Sequence, residues 1–140
     1  MRNILSKIGS ENTVPVIFLF KDGKVLTGLR NYTSSTKWKT ISVWTIPGGS
    51  CDEGETLEET LRRETQEETG ITDFVIEKYL GGVTGARESD FVEVFVGSTT
   101  QEPILMEPEK FSEWRYTSIE NIPENFINPK VLNIIRNYSK

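Results

Sequence analysis

Thr56-Leu57-Glu58-Glu59 is a capping box and Gly70 is a stop signal, so the stretch between them is committed to a helix. Thr56 can accept from the backbone N–H three residues on, and Glu59 can reach back to the start. Gly70 supplies the residue that tolerates a left-handed conformation just past the last turn. At roughly 100° per residue, Leu57, Leu61, Glu64 and Glu68 share one stripe, flanked by Thr60 and Glu67. Glu58, Glu59, Arg62, Gln66 and Thr69 point the other way. The first half of the inner face is therefore leucine and the second half carboxylate.

Glu64, Glu67 and Glu68 stand at i, i+3 and i+4, which brings their side chains within about 6 Å of one another on a helix. At an effective dielectric near 20, two such charges repel by about 3 kcal/mol, and burial penalises ionisation further. A proton or a cation must relieve that. Mg²⁺ is a hard ion that takes oxygen ligands, so three converging carboxylates suit it, with Mn²⁺ as the alternative. An acidic run is most often a solvated helix face. Solvated charges, however, have no reason to share a stripe with Leu57 and Leu61.

The chain has 140 residues, 36% hydrophobic and 26% charged, enough for one core, and it is read as a single domain over residues 1–140. It contains no histidine, which excludes Ser-His-Asp catalysis, histidine metal ligands and imidazole bases. Proton transfer must fall to carboxylate, lysine, tyrosine or water. Cys51 is the single cysteine, so no intrachain disulfide can form and no Cys-His nucleophile exists. A formal charge of -5 argues against a nucleic-acid polymer as partner, since binding one gains from a basic surface. Residues 1–10 lack a signal-like apolar stretch, and no apolar run reaches membrane-spanning length. The expected setting is cytoplasmic, without a membrane partner; homodimerisation is left open.

Along the chain, residues 14–20 form a near-continuous apolar run, and Asp22-Gly23 is a two-residue hairpin signal before a second strand at 25–29. Residues 31–42 are polar and rich in Ser and Thr, and read as a long loop. Residues 43–46 are a strand entering Pro47-Gly48-Gly49, where the bare glycine backbone allows a carbonyl to approach an ion. Further strands are expected at 74–80, 91–96 and 114–117, the second interior because both its faces are apolar. Asn128-Pro129 caps and opens a last helix through Val131, Leu132, Ile134 and Ile135. The class is α/β, a sheet with helices on either side.

Gly49, five residues, Glu55, seven residues, then Arg63-Glu64-x-x-Glu67-Glu68-x-Gly70-Ile71 resembles the signature box of the Nudix hydrolases over residues 49–71. Thr65 departs from it, standing where the family usually has a bulky aliphatic residue. Trp44-Thr45-Ile46-Pro47-Gly48-Gly49 is similar to the family's Trp-x-x-Pro-Gly-Gly entry. Met106-Glu107-Pro108-Glu109-Lys110 followed by Trp114 resembles members acting on nucleoside triphosphates, in which a loop glutamate approaches the metal site.

The resemblance implies an α/β/α sandwich around a mixed sheet, with Glu64, Glu67, Glu68 and the Gly48 carbonyl as metal ligands. Glu64 or Glu67 would orient or deprotonate a water. Arg63, four residues from both Glu59 and Glu67, is placed to brace a carboxylate. Gly49, Glu55 and Gly70 are expected to be structural, and Glu109, or failing that Glu107, to complete the site. Arg30 is a candidate for substrate phosphates. Trp44, with Phe18, Tyr32, Trp38 and Trp114, is a candidate for the base. The implied reaction is hydrolysis of a small-molecule nucleotide, foremost a nucleoside triphosphate to monophosphate and pyrophosphate. Alternatives are a catalytically idle nucleotide- or partner-binding module, or an enzyme for nucleotide sugars or ADP-ribose. Gly85-Ala86-Arg87-Glu88 stands where ADP-ribose members often carry a proline, which disfavours that last substrate.

Overall fold

The computed structural model describes residues 1–34, 39–85 and 87–138. A short helix α1 (Arg2–Leu5) precedes strands β1 (Thr13–Lys21), β2 (Lys24–Ser34) and β3 (Lys39–Thr45), then helix α2 (Leu57–Thr69). Strands β4 (Phe74–Thr84), β5 (Phe91–Thr99) and β6 (Phe111–Thr117) follow, and helix α3 (Pro129–Tyr138) closes the described chain. The strands make one mixed sheet in the order β3-β2-β1-β5-β4, with β6 also paired to β2. β1 and β5 run parallel; the other pairs are antiparallel.

Local chemistry sets several of these boundaries. Asp22 and Gly23 adopt φ of 52° and 78°, the two left-handed residues that a tight hairpin turn needs. α2 begins at the capping box, with Thr56 and Glu59 bonded reciprocally, and ends at Gly70 with φ 73°. At α3 the Asn128 Oδ1 accepts from the Lys130 N–H at 3.0 Å, and Pro129 opens the helix.

The sheet separates two apolar layers because successive β-strand residues face opposite ways. Phe18, Val94 and Val96 pack with Val131, Leu132 and Ile135 of α3. Ile17, Leu19 and Phe95 pack with Leu57 and Leu61 of α2 and with Leu5 of α1. The result is the α/β/α sandwich, with β5 interior between β1 and β4 as its two apolar faces imply. No helix of the described residues is long and apolar enough to cross a membrane.

One expectation is overturned. Much of the polar stretch 31–42 is not loop: Asn31 pairs with Ser42, Tyr32 with Ile41 and Ser34 with Lys39 as β2 and β3 extend. Thr and Tyr favour the pleated backbone, and a ribbon with a solvated face needs no continuous apolar run. Trp38 and Ala86 lie outside the described residues.

Inside the α2-side layer sits a polar pair that periodicity does not announce. Glu93 is 4% exposed and accepts from the Tyr79 hydroxyl at 2.7 Å. Burial first, then the Glu93 carboxylate, pushes the Tyr79 hydroxyl up to about 12. A phenol whose pKa rises on folding contributes stability that is complete below its ordinary 10.0 and is lost as pH climbs through about 12. Tyr79→Phe is therefore expected to cost about 1–3 kcal/mol at neutral pH, because Glu93 stays buried without its donor. It should also flatten the alkaline loss of stability in that window. Urea titrations at neutral pH and near the upper end of the window check both; a variant as stable as the parent at neutral pH refutes the pairing.

Candidate active site

The Pro47-Gly48-Gly49 turn is wedged between β1 and α2. β1 meets β2 only near the hairpin, at Phe20 and Lys21, so its upstream edge is free to receive this turn. Ile17 N–H donates to the Pro47 carbonyl at 2.9 Å, and Gly49 N–H to that of Pro15 at 3.2 Å. Neither glycine leaves room for a side chain. A Cβ on Gly48, at φ 150°, would stand 2.4 Å from the Pro15 oxygen, and one on Gly49 would stand 2.5 Å from the Glu64 carboxyl carbon.

That close approach brings the α2 carboxylates against the turn. Glu68 is 8% exposed, and its Oε1 accepts from the Gly48 N–H at 3.1 Å. Its pKa is pushed well above the ordinary range, by burial first; the charges of Glu64 and Glu107 add to this, while the Gly48 N–H and Arg30 oppose it. Glu64, partly buried, is also raised, by burial first and then by Glu67 and Glu107, against the pull of Arg63. Glu67 lies at the exposed rim and meets Arg63 at 3.2 Å. The structure thus brings Glu64 and Glu68 inward and leaves Glu67 outermost.

Arg63 ties the group together. It grips Glu55 with two bonds, Nε at 2.8 Å and a terminal nitrogen at 2.9 Å. The same terminal nitrogen reaches the Ser50 carbonyl at 3.3 Å, and the other one reaches Glu64 at 2.9 Å and Glu67. Each guanidinium nitrogen of Arg63 is thus engaged by protein acceptors. Glu55 is held down to about 2, by the Arg63 bonds first, with the Asp52 N–H and Thr60 hydroxyl assisting. It anchors the loop ahead of α2, donating nothing to the inner carboxylates.

On the distant loop the order expected from sequence is reversed. Glu109 is exposed, whereas Glu107 is partly buried and is the residue whose charge reaches Glu64 and Glu68. The turn over Glu107 and Lys110, whose N–H donates to the Glu107 carbonyl, turns the earlier glutamate toward the site.

Two threonines of α2 are also displaced from expectation. Thr69, assigned to the outer face, is fully buried, its Oγ1 donating to the Thr65 carbonyl at 2.6 Å. Beyond its first turns the helix is covered on a wider arc than one stripe. Thr65 is fully buried too, and its hydroxyl has no partner among the described residues. Thr65→Val removes that unmet hydroxyl and keeps the shape, so it should stabilise the fold by about 1 kcal/mol without lowering turnover. The check is the urea midpoint at unchanged slope; a lower midpoint refutes it.

A cavity of about 510 Å³ opens beside Gly48, Gly49 and Glu68, within the usual size of a small-ligand site. Arg30 lines it, with its guanidinium 4.8 Å from the Tyr32 ring and 5.2 Å from the Phe111 ring, and its buried Nε lacks a partner among the described residues. Trp44 does not line it. That indole is core, 7% exposed, with Arg115 stacked 4.2 Å from its ring; Thr45 and Ile46 line the cavity instead. Phe18 is likewise core, stacked on Phe126 at 6.5 Å, and Trp114 packs over Gly28 in the α2-side layer. Phe126, Ile127 and Val131, which do form walls, are far along the chain from the box; in sequence Val131 stands out only as part of the last helix, and Phe126 and Ile127 do not stand out.

The chemistry of the donors fits a hard divalent cation: the inner groups are carboxylate oxygens whose ionisation is disfavoured until positive charge arrives. Among the described residues no three acidic groups already stand at metal-coordinating spacing, since Glu67 is drawn to Arg63. Nudix hydrolases generally use divalent metal ions.

A profile of the NUDIX domain matches residues 10–138. An RNA pyrophosphohydrolase of Sphingopyxis alaskensis is 31% identical over 81% of this chain and 80% of its own length. One from Caulobacter vibrioides is 30% identical over 79% of this chain and 73% of its own. Among solved structures, a NUDIX hydrolase from Nitrosomonas europaea superposes with a TM-score of 0.75 at 18% identity, covering 92% of this chain and 70% of that one. A MutT protein from Methanosarcina mazei gives 0.70 at 23% identity, covering 94% and 98%. With the box, the layered fold and these likenesses together, the chain belongs to the Nudix hydrolases and is a pyrophosphohydrolase of that family.

Proposed function

We propose that the enzyme hydrolyses a free nucleoside 5′-triphosphate to the monophosphate and pyrophosphate. The observation that carries this reading is one continuous cavity, which joins the Gly48-Gly49 turn and the Glu68 carboxylate against it to apolar and aromatic walls at Phe126, Ile46 and Val92. Phosphates belong at the first and a base at the second. Glu64, Glu67, Glu68 and the Gly48 carbonyl would hold the ion, Mg²⁺ foremost with Mn²⁺ as the substitute. What such an ion supplies when bound is neutralised phosphate charge and a more acidic water. Arg30 turns its guanidinium to the phosphates. The attacking water forms its bond to phosphorus as the bridging P–O bond breaks, pyrophosphate leaves, and Glu64 or Glu67 takes the water's proton. Glu107 adds its charge from the loop.

The relatives named RNA pyrophosphohydrolase favour a second reading, in which the same triphosphate is the 5′ end of an RNA. The formal charge of -5 weighs against a long polyanionic track, yet a chain end needs only the terminal nucleotide to enter. The deciding experiment compares kcat/KM, with Mg²⁺, for the free nucleoside triphosphates and a 5′-triphosphorylated oligoribonucleotide, identifying the products of each. Free substrates hydrolysed to monophosphate and pyrophosphate at least as fast as the oligonucleotide support the first reading. A strong preference for the oligonucleotide replaces it with the second, and inertness toward both discards the triphosphate as substrate.

A further inference from the structure

β6 carries an irregularity that shapes the cavity. Along its pairing with β2, Leu29 faces Glu113 and Arg30 faces Phe111, so Ser112 has no partner of its own and forms a β-bulge. The extra residue decides which side Phe111 is on. Phe111 and Trp114 stand three apart, a separation that puts side chains on opposite faces of a regular strand. Here their rings meet at 4.7 Å, and the Phe111 ring lies 5.2 Å from the guanidinium of Arg30, directly across the strand pair. In an unbroken register Phe111 would face Asn31, and Arg30 would lose it. Arg30 has little else to hold it: its guanidinium makes no hydrogen bond among the described residues, and its other flank is the Tyr32 ring at 4.8 Å. What fixes the bulge is Asn31, whose side chain leaves β2 on the face opposite to that of Arg30. Its Nδ2 donates to the Ser112 Oγ at 2.8 Å, its Oδ1 accepts from the Ser42 hydroxyl at 2.7 Å, and its backbone N–H donates to the Lys110 carbonyl at 2.8 Å. Ser42 of β3 and Ser112 of β6 are thus clamped to β2 through one residue.

We propose that Asn31 is a positioning residue for the reaction: by pinning the Ser112 bulge it keeps Phe111 beside Arg30, and so aims Arg30 at the substrate phosphates. This rests on the reading, given above, that Arg30 meets those phosphates. A bulge beside a site re-aims a side chain at the cost of one unpaired residue, and that residue needs a partner from elsewhere. Asn31 supplies it with a donor while its acceptor ties in the third strand. Arg30 lines the cavity and Asn31 does not, so an effect of Asn31 on binding has to pass through its neighbours. Both of its side-chain bonds are solvent-exposed, and cutting them leaves the buried layers of the sheet untouched. What is lost is direction. The apparent affinity falls by the fraction of molecules in which Arg30 is still aimed.

The test is calorimetric binding of the α,β-methylene analogues of ATP and GTP, which cannot be hydrolysed at that bridge, to the full chain with Mg²⁺. Parent, Asn31→Ala, Arg30→Ala and the double variant are compared. Asn31→Ala should weaken whichever analogue binds by about three- to tenfold, the scale of one net hydrogen bond. In the Arg30→Ala background it should add no further loss, a coupling that a merely structural role would not produce. Should melting curves show Asn31→Ala unfolded, Ser112→Ala, which cuts the same clamp at its far end, is read in its place. While Arg30→Ala weakens binding, an Asn31→Ala protein that binds like the parent, or one that loses the same factor with and without Arg30, overturns the proposal alone. Arg30→Ala binding as tightly as the parent overturns the phosphate reading of Arg30 and the proposal with it. Failure of the parent to bind either analogue overturns the triphosphate reading and takes the proposal down as well.

Discussion

Glu68→Gln is expected to lower turnover by about two to three orders of magnitude while leaving the metal-free protein at least as stable as its parent. The two halves of that expectation come from the same burial. Glu68 is 8% exposed, and the only protein donor recorded for it among the described residues is the Gly48 N–H at 3.1 Å, a bond that the glutamine oxygen can keep. What the substitution removes is charge. In the metal-free protein that charge is unfavourable, because burial and the facing carboxylates of Glu64 and Glu107 raise the Glu68 pKa well above its ordinary range. With a divalent ion present the same charge becomes attraction, so its loss falls on ion affinity and on the transition state. Steady-state kinetics at saturating Mg²⁺, ion-binding titrations and urea midpoints of the metal-free protein separate the terms. Unchanged turnover would remove Glu68 from the site. A large loss of metal-free stability would show that its carboxylate serves mainly to hold the Gly48 turn.

Glu67 should behave differently, and the contrast exposes how helical spacing was informative and where it stopped. The spacing placed Glu64 and Glu68 on the leucine side of α2, and both face inward because the bare Gly48-Gly49 backbone lies against them. It grouped Glu67 with them as a flanking residue. Which of the three ends outermost depends on where Arg63 points, and that is decided by Glu55, from the loop before the helix. Helix ends were legible for the same local reason: a capping box and a left-handed glycine act on their own neighbours.

Contacts set by register across the sheet were not legible in this way. Nothing near Trp44 tells it from a base-stacking residue; its burial follows from its pairing with β2 and its bridge to Phe126. Glu107 and Glu109 differ only in which one the turn before β6 directs inward. The walls at Phe126, Ile127 and Asp90 come from segments that approach the box only once β1, β5 and α3 are in place. Strand formation over 31–34 depends on a partner strand, so its polar composition read as loop.

Arg63→Lys keeps the charge and is nevertheless expected to cost about 1.5–3 kcal/mol and to lower turnover by about 10–100-fold. A lysine has one nitrogen and no fork, so it cannot hold Glu55 with two bonds while also reaching Glu64, Glu67 and the Ser50 carbonyl. Freed carboxylates lose their fixed directions, and Gly49 loses the packed Glu64 beneath it. The acid limb of the stability curve reports the same change. Glu55 falls from an ordinary 4.5 to about 2 on folding, so its contribution is complete above 4.5 and is lost as pH drops through about 2. With a lysine the depression should shrink, and the loss should move up toward 4.5. Urea midpoints of parent and variant across that acid window, in the absence of metal, measure the shift. Coincident acid limbs would show that Glu55 is held down by something other than the guanidinium, and unchanged kinetics would show that the carboxylates orient themselves without it.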